Sequence, residues 1–284
     1  MKKIFKAILL FTFISTVVFG KTAYKPIYVQ SSKGTLICDR ETKEPLDGKY
    51  EIIDTDGLGR EYVSMEAEIK NGLLNGKCVE YISAGKMLRQ ANYKNGKLHG
   101  KFEGITYIKG TGLPNFEFVV IGNYNNDEFD GKIIYYRTVF REKGKSGVPF
   151  ELLEKGYQGV MSTKCEEVYY KNGKRDGSYK MWFTNGKIAR DYIFKDGEYV
   201  SVKNYYENGQ IKEDTKIVNE VIYTKMYYES GKLQADIKQI DGDNGEAKQY
   251  YESGKLQMEV KVKNGSGYMK EYNENGEMIR EERR

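Results

Sequence analysis

The sequence predicts an all-β protein: an elongated, twisted, single-layer antiparallel sheet of consecutive β-hairpins. Three observations predict it. The octet YYESGKLQ occurs at Tyr227–Gln234 and again at Tyr250–Gln257, with a near-copy, YYENGQIK, at Tyr205–Lys212. Turn glycines Gly186, Gly209, Gly231, Gly254 and Gly276 follow one another at intervals of 22 or 23 residues, a period that marks a repeat architecture. The chain also holds 25 Tyr, 31 Gly and only 4 Pro, a composition of short strands and many turns.

Taken in chain order, the first element is not part of the sheet. Lys2 and Lys3 precede an apolar run from Ala7 to Phe19, and Val18 and Gly20 occupy the small-residue positions of a cleavage site. This is the layout of a signal peptide over residues 1–20. The run is shorter than the roughly 20 residues that span a bilayer, and no second apolar run follows. The expectation is an exported chain, in the periplasm, on the cell surface or secreted, with no transmembrane span once mature. Residues 21–46 read as an N-terminal linker and cap.

The repeat region is expected from residue 47 to 284. Gly48, Gly76, Gly100, Gly131 and Gly177 each open a strand start in its first part. Two stretches break the rhythm, near 104–122 and 141–159, and read as elongated hairpins or loops. A second set of turns lies midway between those of the first set: Gly96, Gly197, Gly242 and Gly265, with Glu220 in the matching place after Gly209. Asn-Gly and Asp-Gly pairs between alternating segments are strong hairpin signals. The chain therefore reverses about every 11 residues, which leaves six to eight per strand, too short for a good helix. Leu256, Met258, Val260 and Val262 alternate with polar residues, as a strand requires.

Register follows from the turns. With the first-set glycine as zero, position −4 is always aromatic: Tyr81, Trp182, Tyr205, Tyr227, Tyr250 and Tyr272. Position +2 is always apolar: Met87, Ile188, Ile211, Leu233, Leu256 and Met278. A three-residue loop ending in a left-handed glycine places −4 opposite +2, so each hairpin carries one aromatic–aliphatic pair. Position −3 is often aromatic as well, at Phe183, Tyr206, Tyr228 and Tyr251. Neighbouring strand residues face opposite ways, so both faces bear aromatic rows. Two readings follow: both rows are structural, covering a single-layer sheet that has no second layer, or one of them is an exposed binding ladder for a partner.

These residues resemble the bacterial MORN-repeat variant family, whose unit runs Tyr-x-x-Asn-Gly-x-Leu, then Tyr-Lys-Asn-Gly-x-x-x-Gly. Ala91–Lys101 is similar to its second half and Phe183–Ile188 to its first. The resemblance covers about residues 47–280. It implies an elongated sheet of successive hairpins. Some members are labelled antitoxin components; others are treated as surface or periplasmic repeat proteins. Gly267–Met278 also resembles the aromatic repeats of choline- or glucan-binding surface proteins, but Ile279-Arg280-Glu281 stands where those show Thr-Gly-Trp.

Charge and composition narrow the chemistry. Without Lys2, Lys3 and Lys6 the chain has 43 basic against 41 acidic residues, interspersed and without a nucleic-acid footprint. Cys38, Cys78 and Cys165 fit no zinc spacing, and His99, the one histidine, sits in a repeat turn. Asp241–Glu246 has the acidity of a calcium loop without its 12-residue ligand pattern. No metal, cofactor or nucleic acid is expected, and no enzyme activity. The expected role is an interaction scaffold or surface binding module with a protein partner. The alternatives are an antitoxin- or immunity-like partner of a toxin, or a glycan- or choline-binding module. Open strand edges offer a route to self-association.

Overall fold

The computed structural model describes residues 22–32, 34–81, 85, 87–107, 117–137 and 163–283. The predicted leader and the predicted insertion near 141–159 lie outside the described residues. Among the described residues every element is a strand. A short N-terminal part holds β1 (Thr22–Tyr24), β2 (Ile27–Ser31) and β3 (Gly34–Cys38). The first half of the array is β4 (Gly48–Thr55), β5 (Glu61–Lys70), β6 (Leu73–Tyr81), β7 (Met87–Lys94), β8 (Lys97–Tyr107), β9 (Glu117–Asn125), the spur β10 (Glu128–Phe129) and β11 (Gly131–Arg137). The second half is β12 (Thr163–Lys171), β13 (Lys174–Trp182), β14 (Ile188–Lys195), β15 (Glu198–Tyr205), β16 (Ile211–Val218), β17 (Val221–Tyr227), β18 (Leu233–Gln239), β19 (Gly245–Tyr250), β20 (Leu256–Lys263), β21 (Ser266–Tyr272) and β22 (Met278–Arg283).

From β4 onward each strand pairs antiparallel with the next, β11 joining β9 directly, in one sheet of twenty strands. β1 lies parallel on β4, and β2–β3 is a separate hairpin. The predicted interruption near 104–122 is an elongated hairpin in its described part, with β8 and β9 in register from Gly100↔Tyr124 to Tyr107↔Glu117. β22, the last strand of the series, is exposed throughout and carries Arg280, Glu281, Glu282 and Arg283. Charges of both signs on a final strand discourage edge pairing.

Two kinds of turn alternate, for stereochemical reasons. Asn71-Gly72, Asn95-Gly96, Asn172-Gly173, Asp196-Gly197, Asn219-Glu220 and Asn264-Gly265 all have both residues at positive φ. That is the two-residue turn whose twist suits flanking strands, and Asn, Asp and Gly tolerate it best. Glu220 thus takes the left-handed place that glycine fills in its relatives (φ 67°). At the other end of each hairpin the loop has three residues. Gly209 N–H donates to the Tyr206 carbonyl at 2.9 Å, and Tyr206 N–H to the Gln210 carbonyl at 2.9 Å. Phe183, Tyr228, Tyr251 and Asn273 repeat this pattern, and Asp56 closes a further loop of the same kind on Gly59 and Arg60.

One turn departs from expectation. Gly242 is not at positive φ; the reversal is a longer loop between Gln239 and Gly245. The Asp241 carboxylate accepts hydrogen bonds from Asp243 N–H (2.8 Å) and the Asn244 side-chain amide (2.9 Å). An aspartate that binds the backbone two residues on builds a turn by itself.

The array changes along its length in one recurring residue. As far as β13 a glycine at positive φ, Gly76, Gly100 or Gly177, falls four residues after the tight turn. There three residues oppose one on the preceding strand, as at Ala67↔Cys78 and Ile69↔Leu74. Such bulges sharpen the local twist. Ser201, Thr224 and Met269 hold that place later. The core follows the same division. Ala91, Phe102, Val120, Ile133, Val168, Tyr179 and Phe194 form one buried cluster on one face. Ile37, Leu46, Ile52, Ala67, Ile69 and Cys78 form a second. The N-terminal segment caps that second cluster, with Ile37 N–H donating to the Gly72 carbonyl and Gly72 N–H to the Leu46 carbonyl, both at 2.8 Å. Phe194 is the last buried residue; β15–β22 form a single layer wetted on both sides. Cys38, Cys78 and Cys165 are buried. Among the described residues no helix is long and apolar enough to cross a membrane.

Candidate functional site

The predicted register is present in all six hairpins: Tyr81↔Met87, Trp182↔Ile188, Tyr205↔Ile211, Tyr227↔Leu233, Tyr250↔Leu256 and Tyr272↔Met278. Each pair borders a bulge on the returning strand, as the left-handed glycine requires. All six aromatics of this row are half-buried.

The second row behaves differently. The Tyr206 hydroxyl donates to the Tyr227 carbonyl at 2.9 Å, Tyr228 to Tyr250 at 2.7 Å, and Tyr251 to Tyr272 at 2.8 Å. Each −3 tyrosine therefore fastens its hairpin to the −4 backbone of the next. Phe183 has no hydroxyl, and its hairpin is tied by other means: Asn185 Nδ2 donates to the Glu207 carbonyl at 3.2 Å and Lys187 Nζ to the Asn208 carbonyl at 2.8 Å. Asn208 and Lys232 continue this seam of turns by donating to the Glu229 and Glu252 carbonyls.

In the −4 row, the Tyr81 hydroxyl donates to Glu66 at 2.9 Å, and burial with that neighbouring carboxylate pushes its pKa up to about 12. Lys164 Nζ sits 4.4 Å over the Trp182 ring. Burial raises the Tyr205 pKa, with Asp191 and Asp214 adding to it. The hydroxyls of Tyr205, Tyr227, Tyr250 and Tyr272 have no hydrogen bond to another described residue.

A feature of this face was not anticipated. Two residues before each −4 aromatic from Trp182 onward stands a lysine, on the same face because side chains alternate; before Tyr81 the place is held by Val79. Across the strands these lysines alternate with acids in unbroken register: Glu167, Lys180, Asp191, Lys203, Asp214, Lys225, Asp236, Lys248, Glu259, Lys270 and Glu281. Within hairpins the ion pairs repeat at 3.6 Å (Lys180–Asp191) and 3.7 Å (Lys203–Asp214 and Lys225–Asp236). The signal was present as a lysine at −6 and an acid at +5 in every late repeat.

Each pair is exposed enough to contribute only about 0.2–1 kcal/mol. Reversing one charge has a larger effect, because like charges then face each other on both sides. Lys225→Glu places three acids side by side at Asp214, 225 and Asp236. We expect its unfolding midpoint to fall below the parent's in 10 mM salt. The gap should close in 1 M salt, where the screening length is about 3 Å. Thermal unfolding at the two salt concentrations measures this.

Fold and rows define a class: a linear hairpin-repeat protein whose long face carries repeated side chains. The description of the MORN repeat variant matches at residues 74–95, 175–196, 200–219 and 243–264. Each match covers one hairpin: β6–β7, β13–β14, β15–β16 and β19–β20. The chain thus carries MORN-variant repeats at four places, and β17–β18 and β21–β22 have the same hairpin register without matching. A search of curated proteins gave no match.

Proposed function

We propose that the chain is an exported, non-enzymatic scaffold that binds a protein partner along its second half, with the −4 aromatic row as the contact ladder. One observation carries the choice of row. The −3 hydroxyls are spent on the neighbouring hairpin, whereas the hydroxyls of Tyr205, Tyr227, Tyr250 and Tyr272 remain available beside an alternating charge row. Tyrosine supplies contact area and a polar tip at low entropic cost. Repetition across hairpins adds avidity to contacts that are individually weak.

A photo-crosslinking amino acid placed in living cells tests this reading. At position 227 or 250 it is expected to yield a discrete protein adduct; at 228 or 251 it is not. Equal adducts from both rows, or none from the first, contradict it. Protease shaving of intact cells beside a periplasmic marker tests the export component: degradation outside or protection with the marker supports it, and fractionation with cytoplasmic protein overturns it.

A further inference from the structure

A second row on the same face, in the first half of the sheet, differs from the charge row in composition. Lys77 pairs with Asn92 across β6 and β7, and Lys101 with Asn123 across β8 and β9. Lys132 follows on β11, one strand from Asn123, because Ile121 is opposite Ile134. Asn92 faces the bulge around Gly100, whose missing Cβ would lie 3.5 Å from the Asn92 side chain. In the second half an acid separates each lysine from the next; here asparagine does. Strands lie about 4.8 Å apart, so successive lysines stand about 10 Å apart.

Internal partners account for only part of this charge. Lys132 faces Glu167 at 3.5 Å. Glu103 accepts from Gln90 at 3.3 Å, and Glu68 is held by Lys49 at 3.2 Å. Among the described residues Lys77 and Lys101 have no ion pair, and the Asn92 and Asn123 side chains have no hydrogen bond. Lys77, Lys101, Lys132, Asn92 and Asn123 line one groove of about 570 Å³, with a single carboxylate, Glu103, in its lining and Ile121 and Ile134 on its apolar side. The volume is in the range of small-ligand sites, which combine apolar lining with a few convergent polar groups.

We infer that this groove binds an acidic oligosaccharide, with Lys77 and Lys101 on its carboxylates, Asn92 and Asn123 on its hydroxyls, and Ile121 and Ile134 under the C–H face of a ring. A bare inorganic anion uses the lysines but neither the amides nor the apolar side. A neutral sugar leaves the two lysines without a counter-charge. The site is separate from the aromatic ladder, and its residues belong to other repeats.

Isothermal titration of the full chain with tetragalacturonate, with its methyl ester and with inorganic phosphate tests the inference. Tetragalacturonate is expected to bind, the ester at least tenfold more weakly, and phosphate not measurably. Lys77→Gln with Lys101→Gln is expected to weaken tetragalacturonate at least tenfold at an unchanged unfolding midpoint, while Lys203→Gln leaves it unaltered. No heat with tetragalacturonate, equal binding of the ester, full competition by phosphate, or equal binding by the double variant would each overturn the assignment.

Discussion

Ile133→Ala is expected to cost about 2–5 kcal/mol of stability, the range for deleting a large aliphatic side chain in a sealed core. Ile133 is wholly buried, in a cluster that also holds Phe102, Val120, Val168 and Tyr179. The site has little freedom to collapse, because a Cβ on the adjacent Gly122 would already lie 2.3 Å from Ile133 Cδ1. Ile237 provides an internal control. It occupies the same cross-strand row, reached from Ile133 through Val168, Tyr179, Tyr192, Val202, Thr215 and Thr224. It lies in the single-layer half and is only half-buried. Ile237→Ala is therefore expected to cost about 1 kcal/mol, since much of its surface already meets water. Urea unfolding of both variants measures the difference. Gly122→Ala added to Ile133→Ala should recover part of the loss, because the new methyl enters the space that the isoleucine vacated. Such coupling is expected of residues in contact. Equal losses at 133 and 237 would contradict the division into a cored half and an open half.

The repeat was legible because its spacing is covalent. A turn glycine, an aromatic four residues before it and an aliphatic two after it fix a hairpin register whatever surrounds them, and Tyr205↔Ile211 and its counterparts follow. Glu220 as a left-handed turn residue was legible for the same reason. The Asp241–Asn244 loop was not: the Asp241 carboxylate overrides the glycine as the turn-forming group, and spacing alone carries no account of that side chain's hydrogen bonds. The half-and-half core was only partly legible. Its signal is the glycine four residues beyond the tight turn, read from sequence as a strand start and found in the structure as a bulge. The candidate site was legible as two rows, but not as two roles. The −3 hydroxyl finds its acceptor on the next hairpin, so its use depends on how one repeat is placed against another. The charge row needs the same inter-hairpin register, since lysine and acid meet across both sides of every strand.

The role of the −3 row sets the second large effect. Tyr206, Tyr228 and Tyr251 each donate a hydroxyl hydrogen bond to the following repeat. A net hydrogen bond contributes about 1 kcal/mol, and removing the donor also leaves a carbonyl without that partner. In a linear array stability is the sum of repeats and the contacts between neighbours. Losing three successive ties should therefore uncouple the last hairpins from the rest, at about 3 kcal/mol in total by the same per-bond figure. Tyr205, Tyr227 and Tyr250 differ from them by one position in the chain, but their hydroxyls bond to no other described residue. Phenylalanine there keeps the aromatic–aliphatic pair and should change stability by less than about 0.5 kcal/mol, as substitutions away from specific contacts do.

The measurement that tests this division most directly is urea unfolding of two triple variants side by side. One carries phenylalanine at 206, 228 and 251, the other at 205, 227 and 250. A large loss in the first with the second matching the parent is the predicted result. Equal losses in both, or a loss confined to the second, would contradict the claim that one aromatic row ties the repeats together and leaves the other free to meet a partner.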